Sequence, residues 1–411
     1  MRFPDLRIGC ASVGAVLLLV ACGGGGGDVI SPFWTHSGLV VADIDGDGRV
    51  DVAVTATYVA GPPPHPGYVQ IYRQSSPGAF DAPVQYGVGP DPWGLSAGDF
   101  DGDGRPDLVA ATPATVAPQP NVTGDSGGIS ILRQDPAIAG SFLPSQWVPT
   151  GGAATDAAIA QLTSDNLADV IVADGVLVNG RALLLEQNPS APGTLLAPMS
   201  LLAGSGKGSE DLAVADINGD GLSDIVLAAY DAVAVFYQRA GGGFDPVVIL
   251  LAGLRVQGVA VADLDGDGRA DIVVANAGNS PAGGTGGASV TVLLQTNPGG
   301  FVATNIPVAD GARRVAIGDL NGDNLPDIAV VSLVYQSLRT PSRVSVLLQS
   351  PTNRGQFAFS AVYDGPLSGN FIGIGDVNGD GRGDIVVNDG PSVLLQRASA
   401  PGTFEPLRPL R

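Results

Sequence analysis

One nine-residue pattern returns seven times along this chain of 411 residues. Its first copy reads Asp43-Ile44-Asp45-Gly46-Asp47-Gly48-Arg49-Val50-Asp51. The copies begin at Asp43, Asp99, Gln161, Asp216, Asp263, Asp319 and Asp376, with spacings of 56, 62, 55, 47, 56 and 57 residues. A fixed period of this length marks an array of like units, each unable to bury its apolar face alone. The units fill residues 29–411 and leave no room for a separate catalytic domain.

Every unit has the same grammar. An apolar strand such as Gly38 to Ile44 or Gly258 to Leu264 enters the acidic loop, and a second strand such as Asp51 to Thr55 or Asp271 to Ala275 leaves it. Runs of Val, Ile, Leu and Ala predict that both are buried. A third strand ends in Gln in all seven units, at Gln74, Gln134, Gln187, Gln238, Gln295, Gln349 and Gln396. A fourth starts near an aromatic in six of them, at Phe80, Phe142, Phe244, Phe301, Phe357 and Phe404, with Leu195 in the third unit. Four short strands per unit, repeated seven times, predict an all-β fold: a seven-bladed β-propeller with four-stranded blades. The small residues Ala42, Gly98, Ala215, Ala262, Gly318 and Gly375 just before the loops suit inner strands crowded around an axis. The ring closes in one of two ways. Either residues 28–36 lend a strand to the last blade, or residues 404–410 complete it alone.

The loop is a cation cage. Calcium takes six to eight hard oxygen ligands in flexible geometry. Alternate Asp residues on a tight turn aim three side chains at one point, and Gly at position 6 permits the reversal. The carbonyl of position 7 adds an oxygen, and the Asp at position 9 closes the site. The predicted ligands are therefore Asp43, Asp45, Asp47, Arg49 and Asp51 in the first loop; Asp99, Asp101, Asp103, Arg105 and Asp107 in the second; and Asp216, Asn218, Asp220, Leu222 and Asp224 in the fourth. Asp263, Asp265, Asp267, Arg269 and Asp271 form the fifth set; Asp319, Asn321, Asp323, Leu325 and Asp327 the sixth; Asp376, Asn378, Asp380, Arg382 and Asp384 the seventh. Arg and Leu enter these sets through backbone oxygen. Asn at position 3 keeps an oxygen while lowering the site charge. The third loop, Gln161 to Asp169, has lost most acids and its glycines, so it is expected to keep the hairpin and bind no calcium. An EF-hand would need Glu at position 12 and flanking helices. Here position 12 is Val54 or Val274, between β-branched flanks. Six structural Ca2+ ions would offset much of the formal net charge of −20 and relieve like-charge repulsion within each loop.

On these residues the chain resembles the FG-GAP repeats of integrin α-subunit propellers and their bacterial VCBS-like relatives. The resemblance covers all seven units through D-x-D-G-D-G-x-x-D and weakens only at Gln161 to Asp169. It implies calcium loops between the innermost strand and the next, on one face of the propeller, and a binding role in adhesion or protein interaction.

The N-terminus reads as an export signal. Arg2 and Arg7 precede the apolar residues 8–21, and Leu19-Val20-Ala21-Cys22 resembles the bacterial lipobox. Residues 1–21 are the expected signal peptide, Cys22 the lipidated residue, and 22–28 a Gly-rich tether. Gly23 rather than Asp follows the cysteine, which resembles the pattern of outer-membrane lipoproteins. The expected location is the outer membrane or cell surface, with membrane contact only through lipid. Beyond Cys22 there is no cysteine, so neither disulfide nor thiol nucleophile is available.

The acidic balance argues against nucleic acid as a partner. A surface protein or a glycan is expected instead. The loops between second and third strands vary most, at Tyr58 to Gly67, Thr112 to Gly127, Ala277 to Gly287 and Leu333 to Ser342. Recognition concentrates on such loops. Trp34, His36 and Trp93 should share that face and are the candidate ligand-binding residues, or else fill packing gaps near the tops of the first two blades. Catalysis is not expected. The only histidines are His36 and His65, and neither lies in a triad pattern. Gly206-Lys207-Gly208 lacks the flanks of a phosphate loop. Arg382-Gly383-Asp384 spells a cell-attachment tripeptide, yet Asp384 belongs to a calcium loop. Adhesion is thus the first expectation, a carbohydrate-binding propeller the second, and a propeller-type polysaccharide lyase a distant third.

Overall fold

The second strand of each repeat is buried on both faces and begins at the ninth loop residue. These strands are Asp51–Val59, Asp107–Thr112, Asp169–Asp174, Asp224–Ala229, Asp271–Asn276, Asp327–Leu333 and Asp384–Val387. Strands covered on both sides need near-continuous apolar runs, and these have them. Each lies second in a four-stranded antiparallel sheet, and seven such sheets are present. The computed structural model describes residues 33–60, 64–113, 127–175, 180–204, 208–278, 287–297, 300–308, 311–333 and 341–410. The export signal, Cys22, the Gly-rich tether, Lys207 and most of the long loops after the second strands lie outside the described residues.

The innermost strands are Phe33–Ala42, Leu95–Gly98, Ala154–Ala160, Asp211–Ala215, Val256–Ala262, Gly311–Gly318 and Ile372–Gly375. Each touches the next, and the last touches the first. Their approach explains the small residues. A Cβ on Gly98 would stand 2.8 Å from Ile159 Cβ of the next blade, and one on Gly375 would stand 2.8 Å from Val41 Cγ1.

Apolar packing is shared between neighbours, one core per interface. Ile44, Val69 and Ile71 pack with Leu95, Leu108 and Leu132 across blades one and two. The remaining interfaces repeat this around the ring. Val52 and Val54 meet Val377, Val386 and Val393 where blade seven returns to blade one. This layout lets a chain larger than a usual single-core domain remain one unit.

Of the two modes of closure, the second is found. Residues 392–394 pair with Arg408–Pro409, so blade seven is completed by its own C-terminal segment. Phe33–Ala42 pairs within blade one. Among the described residues no strand is exchanged between first and last blades; side chains join them. His36 Nδ1 accepts the N–H of Gly390 at 3.0 Å, Asn388 Nδ2 donates to His36 O at 3.0 Å, and Gln74 Nε2 donates to Val377 O at 2.6 Å.

The Gln and aromatic positions form one device. Gln74 pairs with Phe80, Gln295 with Phe301, and Gln349 with Phe357 in strand register. Gln134–Phe142, Gln187–Leu195, Gln238–Phe244 and Gln396–Phe404 form isolated bridges. In five blades the aromatic position therefore closes a short bridge ahead of the fourth strand rather than opening it.

The Asp at position 9 is fully buried in all seven blades. Its carboxylate accepts the N–H of the repeat's Gln at 2.7–2.8 Å in every blade; that Gln ends the third strand only in blade six, lies inside it in blade five and stands two residues beyond it in the other five. It also accepts the N–H of loop position 2, at 2.8–3.2 Å in every blade. The degenerate third loop keeps this clip, with Gln187 N at 2.8 Å and Leu162 N at 3.1 Å from Asp169. Position 2 is apolar and buried throughout, as Ile44, Phe100, Leu162, Ile217, Leu264, Leu320 and Val377. Leaving a buried N–H unpaired costs about 1–3 kcal/mol. Asp169→Ala strands two, so it should lower unfolding free energy by about 2–5 kcal/mol in urea. The loss should be the same with or without added calcium; a loss below about 1 kcal/mol would contradict the assignment.

Candidate metal loops and the axial cluster

The loop folds around its first carboxylate. Asp43 accepts N–H groups from Gly46 at 2.7 Å, Asp47 at 3.1 Å and Gly48 at 2.9 Å. Gly46 and Gly48 hold φ of 78° and 86°, where a side chain is costly. Asn324 and Asn166 adopt φ of 61° and 63° where other loops have the second glycine, as their short polar side chains permit.

Four of the six intact loops bring three carboxylates to within 4.8 Å of one another. Asp43, Asp45 and Asp51 form one group, as do Asp99, Asp101 and Asp107, and Asp263, Asp265 and Asp271. In the fourth, Asp319, Asp323 and Asp327 meet instead. The difference lies at position 3, where Asn321 leaves the loop at Asp319 without the acid that Asp45, Asp101 and Asp265 supply. Arg49, Arg105, Arg269 and Arg382 each pair with the position-5 acid two residues before, Asp47, Asp103, Asp267 and Asp380. Each arginine thereby engages the position-5 carboxylate of its own loop. The pairing holds the exposed Asp103 carboxyl below its ordinary range. In the loops at Asp216 and Asp376 an Asn stands at position 3. Asn218 and Asn378 each accept the position-5 N–H at 2.9 Å.

Burial pushes the position-9 carboxyls up, and neighbouring loop acids add to the shift. Asp51 and Asp327 rise to about 6 and Asp384 to about 7. The two peptide N–H bonds oppose this without reversing it. Hard oxygens gathered this closely, with one carboxyl held against ionisation, form a donor set that suits a divalent cation. Asp165 of the third loop accepts from Thr163 Oγ1 at 2.9 Å and Leu167 N at 3.0 Å. That loop adds no acidic group to the four above.

The opposite end of the inner strands carries a second cluster, which the repeat pattern gave no reason to expect. Asp156, Glu210, Asp211, Gln257, Arg313 and Arg314 come from blades three to six and are all buried. Arg314 Nη2 donates to Glu210 O at 2.8 Å, and Nε lies 3.4 Å from Asp211 Oδ1. The guanidinium stands 4.8 Å over the ring of Phe371, which meets Trp93 edge-on at 6.0 Å. Asp211 Oδ2 accepts Val259 N at 2.9 Å. Burial, then the charge of Asp211, raises the Asp156 carboxyl well above its usual range, against the pull of Arg314.

The three proposed ligand-binding side chains separate. Trp34 is half-exposed and packs on Tyr58 at 5.0 Å and Tyr68 at 5.5 Å. His36 is spent on ring closure, and burial holds its imidazole below the usual range. Trp93 belongs to the axial cluster. Trp34 and His36 lie inside the first strand rather than ahead of it, because the register shifts between His36 and Leu39.

A folded-state pKa raised above the unfolded value gives stability at low pH that is lost as pH rises through the folded value. Asp156→Asn replaces the held proton with a neutral isostere. It should raise the melting temperature at pH 8 relative to the parent and leave it unchanged at pH 4.5. A uniform drop at both pH values would show that the carboxyl is not held protonated.

Residues 43–110 and 185–274 match the FG-GAP-like repeat, and residues 92–132 and 256–293 match the FG-GAP repeat. No curated protein matches the chain in sequence. Among solved structures, an Agrocybe aegerita lectin that recognises non-reducing terminal N-acetylglucosamine is similar, with 19% identity and a TM-score of 0.52. The match covers 83% of this chain and 87% of that one. A Lactobacillus plantarum protein has 13% identity and a TM-score of 0.50 over 86% and 93% of the two chains. The rhamnogalacturonan lyase YesW follows at 15% and 0.49, over 89% and 72%. The likeness is one of fold: the chain is a seven-bladed β-propeller, and residues 43–132 and 185–293 of it match FG-GAP-type repeats.

Proposed function

We propose that this protein is a calcium-stabilised binding module, held at a bacterial surface by lipid on Cys22 and presenting a rigid recognition face away from its metal loops. Six Ca2+ ions in the intact loops would act structurally. Each would take the position-9 carboxylate and its neighbours as ligands and displace the proton that burial favours there. The module does no covalent chemistry in this reading; the acids of the loops are committed to the ring.

The observation that carries the recognition face is the trio Trp34, Tyr58 and Tyr68. Their rings stand 5.0 and 5.5 Å apart at the end of blade one away from its metal loop, with Trp34 36% exposed. Flat aromatic surface with polar edges suits protein contact and sugar stacking alike. Protein interaction or adhesion is the first reading, and glycan binding the alternative that the same rings favour.

One experiment separates them. The calcium-loaded protein, with a photo-crosslinking residue in place of Tyr68, is exposed to intact cells and, in parallel, to a glycan array. Cross-linked surface protein that disappears in Trp34→Ala supports adhesion. Array signal that disappears in the same variant supports the glycan reading. Unchanged capture by Trp34→Ala in both formats would overturn the assignment of the face.

A further inference from the structure

The repeat's glutamines link neighbouring loops through their side chains. In blade two, Gln134 N donates to Asp107 of its own loop at 2.7 Å. Its Nε2 donates to the carbonyl of Ile44, position 2 of the loop before, at 2.9 Å. Ile44 N in turn donates to Asp51. Ile44 is thus pinned through its N–H by its own metal-loop acid and through its C=O by the next blade.

The same cross-blade bond joins Gln74 to Val377 O at 2.6 Å, Gln187 to Phe100 O at 3.1 Å and Gln295 to Ile217 O at 2.8 Å. In blades four, six and seven the amide contacts among the described residues stay within the blade. Gln238 Oε1 accepts Ser223 N at 2.9 Å, Gln349 Nε2 donates to Pro326 O at 2.8 Å, and Gln396 Nε2 to Gly383 O at 3.4 Å. A buried chain therefore runs from Asp384 through Gln74 to Asp51, through Gln134 to Asp107, and through Gln187 to Asp169. A separate link joins Asp224 to Asp271 through Gln295. Among the described residues no such link reaches loop six from either side.

We infer that cation binding is coupled among loops seven, one and two, and between loops four and five, while loop six titrates alone. This rests on the reading that the intact loops hold calcium. An ion that takes the position-9 carboxylate changes how that group holds its two N–H donors. The position-2 residue and the Gln side chain, each held at both ends, pass a displacement at one acid to the next loop as a contiguous packed network. By linkage the effect is mutual between joined loops. The third loop joins the first arc as a metal-free end stop.

Hydrogen exchange read by mass spectrometry on the full-length protein, titrated with calcium, gives a midpoint for each loop separately. Asp43→Ala removes an exposed ligand and disables loop one. It should raise the calcium midpoints of loops seven and two by about five-fold, the value of about one hydrogen bond, and leave loop six unmoved. Gln134→Leu cuts one link while keeping the backbone bond to Asp107, and should raise the midpoint of loop one by a similar factor. Gln349→Leu, whose amide bonds within its own blade, should shift loop six alone. If loops seven and two move no more than loop six in Asp43→Ala, the coupling is overturned. If no loop gains protection from calcium in the parent, the calcium reading itself fails.

Discussion

Seven buried carboxylates, one at the start of every second strand, each accept two peptide N–H groups that would otherwise be buried without partners. The loop turns over one of them, and the repeat's Gln brings the other. The clip sets where the hairpin reverses and where Gln meets its aromatic partner. That Asp169 persists where the other acids are gone separates two roles that one residue combines elsewhere. Position 9 is architecture in all seven blades and a candidate ligand in six.

Much of this is written plainly in the chain. The repeat spacing, the apolar second strands and the small residues before the loops lead directly to seven four-stranded blades. The third unit is recognisably the same unit, down to Leu195 opposite Gln187. What escapes the sequence is contact between units. Nothing in the spacing of Gln134 and Ile44 says that a side chain of one blade holds the backbone of another. The axial cluster is hidden for the same reason: Asp156, Asp211 and Arg314 lie in separate repeats and meet only because the ring brings their inner strands together. His36 reads as a free binding residue by composition, whereas it ties the first blade to Gly390 and Asn388 of the last.

The two ends of the ring differ in chemistry. One gathers carboxylates in exposed loops, where charge is concentrated and a cation would relieve it. The other buries a nearly balanced set of acids and arginines at the axis, with Phe371 and Trp93 packed against it. Closure without an exchanged strand leaves the last interface to apolar packing and to Gln74 and His36. An ion in loop seven would brace that seam directly, since Gln74 bonds to Val377 within that loop.

Calcium stoichiometry tests the central claim most directly. The full-length protein, dialysed to equilibrium against excess Ca2+ and analysed for bound metal, should carry six ions per chain, one for each intact loop. It should retain six when Asp165 in the third loop is replaced by Ala. A chain that binds none, or that binds a seventh lost with Asp165, would contradict the account.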